Sequence, residues 1–113
     1  MKTTPAGKRD RMIRFERVTT TENDLGVEVP GDWALIQDAW AAVRFGTSAE
    51  RRQASIENAS QVATFRVLTT VALRGVTVED RIVFEDSPWS ITGIAAVGGA
   101  AREIEFTATV RKG

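Results

Sequence analysis

Any chemistry in this chain has to come from carboxylates, lysines, serines and threonines, because His, Cys and Tyr are all absent. Without them no side chain can serve as a base near neutral pH, a thiolate nucleophile or a phenolic acid. Two acidic pairs remain as candidates, Glu79-Asp80 and Glu85-Asp86, since neighbouring carboxylates are able in principle to divide acid and base roles or to hold a cation. Both pairs flank the short apolar run Arg81-Ile82-Val83-Phe84. Charge in that position marks the solvated ends of a strand, so the pairs are expected in turns. The expectation is a chain with no catalytic residue, no cofactor and no metal, hence not an enzyme.

The elements that would carry any site follow from composition and periodicity. At 113 residues, with 42% hydrophobic and 27% charged residues, the chain has the size and make-up of one globular domain. The lack of cysteine removes disulfides and thiolate metal ligands, so packing alone must hold the fold. No apolar run approaches the ~18 residues that span a bilayer, and the start, MKTTPAGKRDR, has charge without a following apolar stretch. Neither a membrane span nor a secretory signal is therefore expected. Net charge is zero but unevenly spread: residues 1–18 carry six basic and two acidic side chains, whereas residues 19–40 carry five acidic ones and no Lys or Arg. With no broad basic face to track a phosphate backbone, direct nucleic-acid binding is not expected to be the primary role.

Residues 1–9 read as a flexible basic tail and residues 10–113 as a single domain. Ile13 and Phe15 alternate with Arg14 and Glu16 in the period of a half-buried strand over 11–18. Residues 19–32, rich in Thr, Asn, Asp, Gly and Pro, predict a loose reversal. A strand is expected from about Ala39 to Phe45, with Trp40, Ala42 and Arg44 on one face, Ala41, Val43 and Phe45 on the other, and both faces covered. Residues 46–60 hold Ile56 as their only large apolar side chain; Thr47 and Glu50 have capping-box spacing, which suits a short helix inside a long polar loop. Alternation resumes over 61–70, with Ala63, Phe65 and Val67 on one side. Arg81–Phe84 and Trp89–Ala96 form a hairpin around Asp86-Ser87-Pro88, and Gly98-Gly99 reverses the chain again. The last strand, 102–111, turns Ile104, Phe106, Ala108 and Val110 inward. Five or six antiparallel strands in a chain this short predict a mainly-β fold, a small antiparallel barrel or sandwich with one long polar loop at 46–60.

The order of these landmarks resembles the head-tail joining proteins of tailed bacteriophages, also called head-closure or stopper proteins. The resemblance rests on the start AGKRDRMIRFER, the segment DWALIQDAWAAVRF, the polar excursion, the RVLTT strand, and the closing RIVFEDSPWSITGIAAVGGAAREIEFTATVRK. One corner departs from the family, which often has an Arg-Pro-Gly turn after the middle strand where this chain has TTVALRGVTVEDR. The resemblance implies a virion connector protein, assembled in the host bacterial cytoplasm, that forms a ring of its own copies between portal or adaptor proteins and tail proteins. Such a ring closes the DNA-filled capsid, touching packaged DNA only indirectly and no membrane. It also implies that the long excursion faces the channel or neighbouring subunits, which places Glu50, Arg51, Arg52, Gln53 and Glu57 as candidate contacts. Lys8, Arg9 and Arg11 are candidates for an acidic adaptor or portal surface. The alternative is a small barrel that binds nucleic acid or peptide through exposed aromatics.

Overall fold

The computed structural model describes residues 8–46 and 60–111. Six strands, β1 (Arg11–Glu22), β2 (Glu28–Phe45), β3 (Ser60–Leu68), β4 (Arg81–Phe84), β5 (Ser87–Val97) and β6 (Glu103–Arg111), form one antiparallel sheet. A four-residue helix, α1 (Val71–Arg74), lies between β3 and β4, and a 3-10 turn (Gly99–Ala101) joins β5 to β6. The strands follow one another around the sheet as β1-β2-β3-β6-β5-β4, and β4 returns to β1, closing the ring. Closure removes most of the open edges that a small sheet would otherwise expose. No helix among the described residues is long and apolar enough to cross a membrane.

The alternation predicted for the central strands supplies the core. Ile13, Phe15, Ala63, Phe65, Val67, Ile82, Phe84, Trp89, Ile91, Ile104, Phe106 and Ala108 are all buried. Space for the rings comes from alanines: Ala63 and Ala108 are paired across β3 and β6, and with Ala41 they are fully buried. Phe65 stands edge-on to Phe84 and to Trp89 with ring centroids 5.5 Å apart in each case, and Phe15 packs against Phe106 at 4.8 Å. These are the tilted geometries that aromatic quadrupoles favour. The Trp89 indole N–H is the only buried side-chain donor left unpaired among the described residues, so that ring is held by packing.

Three elements differ from expectation. The reversal predicted at 19–32 is mostly strand: β1 and β2 continue as a two-stranded ribbon, with Glu22 opposite Glu28 and Thr20 opposite Pro30. Every residue from Thr19 to Glu28 is exposed, so the ribbon shows no apolar period, and the threonines there are good strand formers regardless of burial. Its tip is closed by the Asn23 side chain, whose Oδ1 accepts from the Leu25 and Val27 amides at 2.9 and 3.0 Å, while Gly26 takes φ +76°. A Cβ on Gly31 would stand 2.9 Å from Thr19 Oγ1, so glycine there permits the close approach at a register shift. We call this ribbon the arm.

The second difference is β2 itself, which runs from Glu28 rather than from Ala39. On its outer face Trp40 is 56% exposed and Arg44 is exposed, and Ala42 between them is shielded but stands outside the core cluster. The face of Ala41 and Val43 is thus the one that packs on the core, and the outer face is largely open rather than covered. The third difference lies between β3 and β4. Thr70 Oγ1 accepts from the Leu73 amide and caps α1, and Leu73 and Val76 are buried in the core cluster. Residues 69–80 thus cross one end of the ring as a plug, where the sequence shows only Gly75 as a breaker. The β4–β5 turn is Glu85-Asp86, with φ +54° and +65°, and Ser87-Pro88 already belongs to β5. Two consecutive positive φ values match the twist of a two-residue hairpin loop.

Phe65 touches two of the other rings and is fully buried, so Phe65→Ala is expected to destabilise the domain by about 3–5 kcal/mol. Trp40→Ala, on the outer face, is expected to shift stability by well under about 1 kcal/mol. Urea unfolding followed by tryptophan fluorescence measures the Phe65 change; circular dichroism measures both.

Candidate functional site

An antiparallel ring has two ends, and the topology assigns each connection to one of them. The start of β1, the end of β2, the start of β3, the Glu85-Asp86 turn and the end of β6 lie at one end. The arm, the 69–80 plug and the 3-10 turn lie at the other. The five contact candidates Glu50, Arg51, Arg52, Gln53 and Glu57 lie outside the described residues. Of the basic start, Lys8 is exposed. Arg9 donates to Glu103 Oε2 at 2.6 Å, and Arg11 donates to Glu85 Oε2 at 2.6 Å while its guanidinium lies 4.9 Å from the centre of the Phe84 ring. The structure therefore gives Arg9 and Arg11 partners within their own chain, and Lys8 alone of the three has no such contact among those described.

The same pairing extends over the outer surface. Arg66 donates to Glu105 at 3.2 Å and lies 3.9 Å from Glu103, and Arg14 reaches Asp38 at 3.1 Å. Arg81 grips Glu16 through Nε and Nη2 and stacks 4.1 Å from the centre of the Trp33 ring. Solvated pairs of this kind contribute little individually. Their consequence is electrostatic: these particular arginines, each beside a carboxylate, add little to any basic field.

The two acidic pairs part company. Glu85 and Asp86 are exposed turn residues, as expected, with Glu85 taken up by Arg11. Asp80 is instead buried, 3% exposed, and is the only buried charged residue among those described. Arg17 forks onto it, Nε to Oδ1 and Nη2 to Oδ2, each at 2.9 Å, and Nη2 also donates to the Gly75 carbonyl at 2.8 Å. The Thr77 amide donates to Asp80 Oδ2 at 2.8 Å, and the Asp80 amide donates back to the Thr77 carbonyl. Burial pushes the Asp80 carboxyl upward, but the Arg17 hydrogen bonds, the Thr77 amide and the Arg17 charge outweigh it and hold the group below its ordinary value. Asp80 is thus a structural anion that ties the plug to β1. The signal available in sequence was the Thr77-x-x-Asp80 spacing of a local side-chain turn; nothing local pointed to Arg17. Among the described residues no cluster of three or more acidic side chains could hold a metal ion.

What the plug end offers is an apolar groove of about 310 Å³, lined by Leu73 and Arg74 from α1 and by Ile94, Ala96 and Ile104. It exists because β4 begins only at Arg81, opposite Ser90, while β5 continues; no residue of β5 beyond Ser90 is paired with β4. Ile94 and Ala96 are paired with Phe106 and Ile104 on the inward face, yet the ring has no strand left to cover them. Neither the arm nor the groove was among the sites expected from the sequence.

Residues 4–111 match the family of phage head completion proteins. The fold is similar to a chain in the virion of a native gene transfer agent particle, with TM-score 0.65 and 20% identity over 89% of this chain and 93% of that one. It is also similar to a protein of Shigella flexneri 2a known from a solution structure, with TM-score 0.63 and 15% identity over 88% and 90% of the two chains. None of the curated proteins matches the chain.

Because the lowered Asp80 carboxyl is ionised in the folded state, its contribution is complete above about pH 4 and is lost as pH falls through the lowered folded value. Asp80→Asn is expected to lower stability at neutral pH by ~1–3 kcal/mol and to flatten the acid limb of a stability-against-pH curve. Arg17→Met, which leaves the buried carboxylate without its cation, is expected to be the more damaging change, since the arginine side chain is half-exposed and would resolvate where Asp80 would not. Thermal melts between pH 2 and 8 measure both.

Proposed function

The chain belongs to the phage head completion protein family, and from that premise we propose that it forms a ring that joins head to tail and closes the DNA-filled capsid. The single observation that carries the proposal is the extent of the family match, which spans every strand of the closed sheet. The surface supports it: a packed barrel with connections gathered at two opposite ends suits a protein that sits between two others in a stack.

In this proposal the β2–β3 connection presents Glu50, Arg51, Arg52, Gln53 and Glu57 toward the channel or neighbouring subunits. A segment with little apolar content orders where partner contacts offset its lost entropy. Lys8 faces an acidic surface on the portal or adaptor side, with tail proteins on the far side. Arg9 and Arg11 act indirectly, by fixing the start of β1 through Glu103 and Glu85. The partners are copies of itself and the adjoining connector proteins, with packaged DNA only indirectly in contact, and assembly takes place in the host bacterial cytoplasm.

Deleting the gene is expected to yield capsids that package DNA but leak it or fail to acquire tails, with tailed particles reduced at least tenfold; complementation in trans restores them. Negative-stain micrographs and nuclease protection of packaged DNA measure this. Normal tailed particles from the deletion would rule the proposal out.

A further inference from the structure

The arm and the groove have complementary chemistry. At the tip of the arm Leu25 is 86% and Val27 54% exposed, an unusual position for two aliphatic side chains held on a turn ordered by Asn23. Around them the arm carries Glu22, Asp24, Glu28 and Asp32, none of which forms an ion pair among the described residues. The groove is the converse: an apolar floor of Leu73, Ile94, Ala96 and Ile104, with Arg74 on its wall and Arg102 directly after the turn that borders it. Neither arginine forms an ion pair among the described residues. Ile94, Leu68 and Val71, at 42%, 52% and 88% exposure, extend the apolar character of that end.

Their placement decides which molecule can bring them together. In the ring order β1-β2-β3-β6-β5-β4, the β1–β2 pair that carries the arm stands directly opposite the β6–β5 pair that floors the groove. Arm and groove therefore share one end of the barrel but lie on opposite sides of it. A chain with a projection on one side and its complement on the other makes a head-to-tail contact with its own copy. Such a contact uses two different surfaces, repeats by rotation, and yields a closed ring when the rotation divides the circle.

We propose that the arm of one copy seats Leu25 and Val27 in the Leu73–Ile94–Ile104 groove of the next, with the acidic arm residues meeting Arg74 and Arg102. The occupant of the groove is thus a second copy of this chain. The inference rests on the ring reading above and specifies the surfaces that build the ring. Asn23 shapes the tip of the arm and Gly31 lets its strands close before any partner is met, so little entropy is lost on docking.

Because the chain has no cysteine, the introduced thiols are the only ones through which its copies can be cross-linked to one another. Leu25→Cys and Ile94→Cys variants would be incorporated into particles and treated with a short bismaleimide. The double variant is expected to give a ladder of cross-linked oligomers ending at the full ring; each single variant is expected to stay monomeric, and a mixture of the two singles to give dimers. Cross-linking of Leu25→Cys to itself would overturn the proposal in favour of a two-fold contact. Absence of cross-links in particles whose micrographs still show a ring of this chain would overturn the proposed surfaces while leaving the ring intact. Particles with no such ring would overturn both. As a second readout, Asp24→Lys with Glu28→Lys is expected to cut incorporation into particles at least tenfold, and adding Arg74→Glu with Arg102→Glu to restore most of it. Failure of the second pair to restore a folded double variant would also count against the contact.

Discussion

The ring of strands is closed by a seam of three residue pairs, Arg14–Val83, Phe15–Ile82 and Glu16–Arg81, between β1 and the four residues of β4. Much else in the fold follows from the shortness of that seam. With so few backbone bonds available, side chains reinforce closure at its margin: Arg81 holds Glu16 within the last pair of the seam, and Arg17 reaches past the start of β4 to Asp80. The buried fork between Arg17 and Asp80 secures the chain segment that fills the space β4 leaves open. A buried carboxylate is tolerated only when its lone pairs are satisfied, and Asp80 receives the guanidinium and the Thr77 amide together.

The short β4 also explains why the barrel has an open groove. A full-length fourth strand would cover the far half of β5 and remove the groove; a shorter β1–β2 hairpin would remove the arm. Both surfaces arise where the strands differ most in length, 18 residues for β2 against four for β4. The core draws on β1 through Ile13 and Phe15 and on β2 from Ile36 onward. Toward the tip of that hairpin every residue from Thr19 to Glu28 is exposed, and Thr, Glu and Asp keep the ribbon solvated. In the proposed ring, stability and assembly therefore fall to different stretches of the same two strands.

The arginines show a similar division. Arg9, Arg11, Arg14, Arg17, Arg66 and Arg81 each have a carboxylate partner within the chain, which directs them to holding strands in register. Arg74 and Arg102 have no such partner among the described residues, and both stand beside the groove. Arg44 and Arg111 are unpaired among the described residues as well but stand at the opposite end, so the balanced net charge conceals, at the plug end, an acidic arm and a basic groove rim.

Much of the fold was legible in the sequence because burial inside a closed sheet imposes a period of two, and Phe65, Phe106, Ile82 and their neighbours obey it. The absence of His, Cys and Tyr, the succession of strands along the chain and the resemblance to head-tail joining proteins were equally available from the sequence; the pairing of β3 with β6 and of β4 with β1 was not. The arm was not, because a ribbon wetted on both faces has no apolar alternation to betray it. Nor was the role of Asp80, whose partner lies 63 residues away and is brought to it only when β4 meets β1. The groove is a property of strand lengths around the ring, since Ile94 and Ala96 follow an ordinary inward pattern and are left uncovered only because β4 starts no earlier than Arg81. Local pattern determined which residues form the barrel; the tertiary pairing of strands of unequal length decided which parts of it remain open to another molecule.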